Sequence, residues 1–186
     1  MNNEGTSFLI DNLISFSSNW IIRPESVKEM KYVIRKYKDS NNQKGKLGEI
    51  YVKDNLRYQF RELGFKQSYK VTPMSYYMKY QYRHKKKGID IYLRIVDENS
   101  NIYKVMIEVC NWMKMHSINN YILNNRILDK FKKFDRLNRN YHMIAINQRN
   151  VRLIKNRCDN ANALILPLRE HITSELIQHL EQTEQL

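Results

Sequence analysis

Two runs of alternating apolar residues constrain this chain more than any other feature. Gly88–Val96 carries Ile89, Ile91, Leu93 and Ile95, and Ile102–Val109 carries Val105, Ile107 and Val109. Between them Asp97-Glu-Asn-Ser-Asn has the composition of a turn. Period-two alternation on both sides of a turn predicts two strands joined as a hairpin. Asp90 and Glu108 lie nine residues to either side of Asn99. A hairpin centred there sets these two carboxylates side by side near its open end. Alternation also turns Asp90 away from Ile89 and Ile91, turns Glu108 away from Ile107 and Val109, and puts Cys110 on the face of Glu108.

The flanking segments predict a mixed α/β domain. Pro24 suits a first helical turn, and Val27, Met30, Ile34 and Tyr37 follow at helical spacing. Asp39–Gln43 reads as a polar break, Lys46–Leu63 as a second helix stopped by Gly64, and Phe65–Thr72 as a strand ended by Pro73. Ser117–Leu137 predicts a third helix with Ile118, Ile122, Leu128, Phe131 and Phe134 inward. Tyr141–Asn147 and Ala163–Leu168 read as buried strands, Gln148–Asn160 as helix or loop, and His171–Leu180 as a terminal helix. The expected order is a helical arm over residues 1–43, then a central mixed sheet flanked by helices over residues 44–186. A chain of 186 residues with 42% hydrophobic content is large enough for one such core.

Glu49 joins Asp90 and Glu108 as a third acid in apolar surroundings. At helical spacing it shares a face with Val52, Leu56, Phe60 and Leu63, and Gly45 and Gly48 leave room for close backbone approach. A buried carboxylate is costly unless paired. Adjacent carboxylates repel unless a cation lies between them, and Mg²⁺ or Mn²⁺ is the oxygen-seeking choice. The alternatives are a Glu49 that complements a helix start and two acids on the polar face of a hairpin.

Charge points to the substrate. Lys plus Arg number 32 against 19 acids, a net charge of +13, which favours a polyanion. Lys79, Arg83, Lys85, Lys86 and Lys87 are interleaved with Tyr76, Tyr77, Tyr80 and Tyr82 just before Asp90, suiting phosphate contact and base stacking. Arg149, Arg152, Lys155 and Arg157 form a tract free of acids. Cations from Arg126 to Arg139 read instead as a solvated helix face. His84, His116 and His142 have no metal-ligand spacing, and Trp112 reads as a core anchor. Two cysteines without a CxxC exclude a disulfide framework and a cysteine-rich zinc site, and fit a reducing, intracellular compartment. No apolar run approaches the ~20 residues that span a bilayer, so no membrane partner is expected.

Gly48-Glu49, Leu63-Gly64-Phe65, Gly88-Ile89-Asp90-Ile91 and Ile107-Glu108-Val109-x-Asn111-Trp112 together resemble the PD-(D/E)xK nuclease superfamily. Within it the pattern looks most like archaeal Holliday-junction resolvases and Mrr-type restriction endonucleases, over about Lys44 to Leu168. The resemblance implies a restriction-endonuclease-like fold and Mg²⁺- or Mn²⁺-dependent hydrolysis of DNA, structure-selective in the resolvase case, by a homodimer. It makes Glu49, Asp90 and Glu108 the site acids and the Val109 carbonyl a further metal ligand. Cys110 stands where the family has its lysine. A neutral thiol supplies no positive charge, which leaves three readings. A lysine reaches in from elsewhere, with Lys114 and Lys87 better placed than Lys104; or metal alone supports slow catalysis; or the chain binds DNA or RNA without cutting it.

Overall fold

Strands β2 (Ile91–Val96) and β3 (Ile102–Cys110) form the antiparallel hairpin in a computed structural model of the chain, with Ile91 opposite Ile107 and Val96 opposite Ile102. Ser100 in its turn takes a left-handed φ of 65°. The structure describes residues 22–37, 40–62, 70–72, 89–96, 99–111, 127–137, 139–146, 148–157, 163–168 and 171–184. Residues 1–21 of the expected helical arm, the Gly64 stop, the basic-aromatic tract Tyr76–Lys87 and the first half of the helix expected at Ser117 lie outside them.

The described residues supply five helices and five strands. Before the hairpin come α1 (Pro24–Lys36), α2 (Ser40–Glu62) and β1 (Lys70–Thr72). After it come α3 (Asp129–Phe134), β4 (Tyr141–Ile146), α4 (Gln148–Arg157), β5 (Ala163–Pro167) and α5 (Ile172–Glu184). The sheet order is β1-β2-β3-β4-β5. The first three strands run antiparallel and the last three parallel. This is an α/β architecture with a mixed sheet and flanking helices.

Alternation divides the interior into two layers. Ile91, Leu93, Ile95, Val105, Ile107, Val109, Met143, Ala145 and Leu166 face one core, with Met30 and Val33 of α1, Tyr51, Val52, Leu56 and Phe60 of α2, and Leu176 and Leu180 of α5. Met106, Cys110, Ile144, Ile146 and Ile165 face a smaller core, covered by Ile127 and Phe131 beside and within α3 and by Ile154 of α4. Burial on both faces is what parallel strands require. Two buried polar groups lock the larger layer, where the Thr173 hydroxyl donates to Asn55 Oδ1 at 2.6 Å between α5 and α2.

Several local expectations are corrected. The polar break is partly helix, because α2 begins at Ser40 and runs unbroken past residue 43. Gln43 explains the early start: its amide donates to the carbonyls of Ile34 and Tyr37, satisfying the end of α1 and clasping the two helices. The boundary expected at residue 43 therefore falls inside a helix, and α1 shares the larger core. Glu49 stands well inside α2, so it does not complement that helix's first turn. Ile89 and Ile91 do not share a face: Ile89 enters the smaller core and Ile91 the larger. The chain bends at Asp90 between them.

Candidate functional site

The bend at Asp90 is what lets one carboxylate address two layers. Continuing the hairpin register by one rung sets Asp90 beside Glu108, and the Val109 amide donates to Asp90 Oδ2 at 2.9 Å. On its other side Asp90 faces Glu49 of α2, near enough for the two carboxyls to share a proton. The acids thus form a row, Glu49–Asp90–Glu108, where β2 begins and β3 ends. That edge is also the carboxyl end of the parallel strands, where open α/β sheets hold their ligands.

Gly48 brings α2 to this edge. A Cβ at residue 48 would stand 2.9 Å from Asn111 Cβ and 3.3 Å from Val109 Cγ1, so only glycine fits without displacement. Asn111, the residue after β3, donates from Nδ2 to the Lys44 carbonyl at 3.0 Å and fastens the same helix. Gly45 meets nothing within 4 Å, so the close approach belongs to Gly48 alone.

Electrostatics show how crowded the row is. Burial, reinforced by the charge of Asp90, pushes Glu49 up to about 7 and Glu108 up to about 8. Burial also raises Asp90 above the usual carboxylate range, although the Val109 amide and Lys130 pull it back. Each group is raised because its negative form lacks compensation.

Positive charge reaches the row from Lys46 of α2, which pairs with Glu49 Oε2 at 3.6 Å, and from α3. Lys130 Nζ donates to Glu108 Oε2 at 3.1 Å, with side chains 22% and 5% exposed. This pair lowers the proton affinity of Glu108, but less than burial and Asp90 raise it. Lys114 and Lys87 lie outside the described residues, and Lys104 is exposed. Cys110 lies at the inner end of the smaller core, and burial pushes its thiol well above its usual range. It stays neutral and leaves the charge-bearing role to Lys130. The sequence carries a signal for this lysine. Ile127, Lys130, Phe131 and Phe134 recur at the spacing of one inward helix face, so Lys130 is the cation among apolar neighbours.

Lys130 is held by a second arrangement that the sequence reading passed over. His142 of β4 and Asp135 meet at 2.6 Å between Nε2 and Oδ2, and the His142 ring stacks on Phe131 at 4.7 Å. Asp135 also accepts from the amides of Arg139 and Asn140 and from Asn140 Nδ2. These contacts anchor the end of α3 on β4.

One atom is left over. Glu108 Oε1 is buried without a hydrogen-bond partner. The remaining donors are carboxylate oxygens, which suit a hard divalent cation. Among the described residues no group of three His, Cys, Asp or Glu side chains stands as a ready metal-binding cluster. The row therefore offers Asp90 and Glu108 as neighbours, with Glu49 behind Asp90. Of the expected nucleic-acid contacts, Lys79, Tyr80, Tyr82, Arg83, Lys85, Lys86 and Lys87 lie outside the described residues. Arg152 and Lys155 are exposed on α4, and Arg149 stands in its first turn. Among the described residues no helix is long and apolar enough to cross a membrane. No family model, no curated protein and no solved structure matches the chain.

Proposed function

We propose that this chain is a divalent-metal-dependent nuclease that hydrolyses phosphodiester bonds of DNA, on the plan of the PD-(D/E)xK superfamily. The observation that carries the reading is the pairing of Lys130 with Glu108 Oε2 beside the orphaned Glu108 Oε1. A buried carboxylate with one oxygen neutralised and the other unsatisfied is costly to maintain without a ligand.

Asp90, Glu108 and the Val109 carbonyl would hold Mg²⁺ or Mn²⁺, with Glu49 supporting Asp90. Bound there, the ion would polarise a phosphate oxygen and lower the pKa of a coordinated water. The chain's own groups do the rest. The Val109 amide fixes Asp90 Oδ2 and so orients the carboxylate beside Glu108. Lys130 fixes Glu108 Oε2 in the same way and brings the positive charge that Cys110 lacks. An ammonium beside the scissile phosphate would offset charge that builds up in the transition state.

Binding without cleavage is the second reading, favoured by the lack of a ready trio of ligands among the described residues. Incubating the full chain with supercoiled, branched and single-stranded DNA in Mg²⁺ or Mn²⁺ separates the two. The nuclease reading expects cleavage that chelation stops and that Asp90→Asn and Glu108→Gln abolish while binding persists. Cleavage indifferent to chelation and to both variants would refute it, and binding with no cleavage of any substrate would favour the second reading.

A further inference from the structure

The helices over the smaller core, α3 and α4, carry a charge distribution unlike the rest of the molecule. Between Asp129 and Arg157 there are nine lysines and arginines and two acids. One of those acids, Asp135, is buried against His142 and Asn140. Lys130 points inward to Glu108. Lys132, Lys133 and Arg136 around the end of α3, and Arg152 and Lys155 on α4, are exposed. Among the described residues none of these five has an acidic partner. On the opposite layer α5 holds Glu175, Glu181 and Glu184 with no lysine or arginine, and α1 mixes Glu25 and Glu29 with its cations. Lys53 of α2 pairs with Glu29 at 3.6 Å.

The fold places the two helices that carry these five side chains over the same face of the sheet. Phe131 of α3 stacks on His142 of β4, and Ile154 of α4 joins the same core as Phe131 and β5's Ile165. Neither helix is continuous with the other in sequence; the sheet brings their cations into one layer.

We infer that this outer layer of α3 and α4 is the docking surface for a nucleic-acid phosphate backbone, and that it leads the backbone toward the sheet edge where β2 begins and β3 ends. The inference rests on the nuclease reading for its orientation and extends it by naming the surface. Phosphates are the matching ligand because the layer offers unpaired, flexible cations on two elements and needs no fixed geometry to bind a regularly charged polyanion. A lipid surface fits poorly. Leu137 is the one large exposed apolar side chain beside the cations among the described residues, and stable interfacial binding needs a broad apolar face.

The test uses the full chain, in EDTA, with a duplex DNA oligonucleotide titrated over a range of salt concentrations. The quadruple variant Lys132→Ala, Lys133→Ala, Arg152→Ala, Lys155→Ala should reduce the slope of log affinity against log salt by roughly 3–4, since each lost phosphate contact removes about 0.9. Binding at physiological salt should fall by more than about tenfold. The control removes four charges from α1, at Lys28, Lys31, Arg35 and Lys36, and should leave the slope within about one unit of the parent. Circular dichroism confirms that both variants fold. An unchanged slope in the α3/α4 variant, or an equal loss in the α1 variant, would overturn the assignment. So would tighter binding to phosphatidylserine vesicles than to the duplex. Because no metal is present, a failure of cleavage leaves this result standing, and a failure here leaves the cleavage experiment standing.

Discussion

The two faces of the sheet are built from similar strands and do different work. One face is closed by α1, α2 and α5 over an apolar core that includes Phe60, Leu56, Tyr51 and Leu176, all at or below 1% exposure. The other is closed by the short α3 and by α4, and it includes Glu108, Cys110 and the Asp135–His142 contact. The larger layer contributes stability through buried area, roughly 25 cal/mol per Å². The smaller layer spends part of that stability on charge it cannot fully compensate. The acids lie where the layers meet, one supplied by α2 and two by the hairpin, so the robust side holds the strained side in place.

The largest expected effect tests the stabilising face. Phe60→Ala should cost about 3–5 kcal/mol, read by urea unfolding of the metal-free chain, because the ring is fully buried and its removal leaves a cavity. A cost below about 1 kcal/mol would mean that the larger core is not packed as described.

Lys130→Met tests the other face. It should lower cleavage by about 10²–10³-fold, in line with loss of one electrostatic contact to a transition state, while duplex binding changes little. A variant with full activity would remove Lys130 from the mechanism. Asp135→Asn and His142→Gln should reproduce a smaller part of that loss, about tenfold, by loosening α3 rather than by removing the charge.

Asp90→Asn sharpens the contrast because its two effects have opposite sign. It removes the site and should abolish cleavage, yet it should stabilise the metal-free chain. Glu49 and Glu108 are raised from 4.5 to about 7 and about 8. A carboxyl raised in the folded state adds its full stability below its unfolded value and loses it as the pH climbs through the folded value. The metal-free chain should therefore lose stability between about pH 5 and pH 8. With the central charge gone this slope should flatten, and Tm at pH 8 in EDTA should rise by roughly 2–6 °C. A Tm that falls with Asp90→Asn would contradict the crowding of the row.

Gly48→Ala should cost less stability than Phe60→Ala, about 1–3 kcal/mol, since the added methyl meets Asn111 and Val109. Its interest is that cleavage should fall further than stability, because the displaced element is the one that carries Glu49.

Much of this site was legible in the sequence because a hairpin has few degrees of freedom. Equal spacing about Asn99 sufficed to bring Asp90 beside Glu108, and alternation sufficed to put Cys110 and Glu108 on one face. What failed was local. Alternation was carried through Asp90, although the chain bends there and splits Ile89 from Ile91 between the cores. That bend, a tertiary accommodation to Glu49 and the Val109 amide, has no signature in hydropathy. The start of α2 was missed because Gln43 caps α1 through a contact between helices. Charge counted along the chain makes Lys130 one of a solvated basic run, whereas its helical phase with Ile127, Phe131 and Phe134 marks it as inward. The match of Asp135 to His142 is invisible without the path of β4.

The central claim is that Asp90 and Glu108, with Lys130 holding the second oxygen of Glu108, capture a divalent cation. The most direct measurement is a crystal structure of the chain grown with Mn²⁺ and recorded at a wavelength where manganese scatters anomalously. The account predicts an anomalous peak within about 2–2.5 Å of an Asp90 oxygen and Glu108 Oε1, with Lys130 still at Oε2. Protonated carboxyls bonded to each other, and no peak between them at millimolar Mn²⁺, would contradict it.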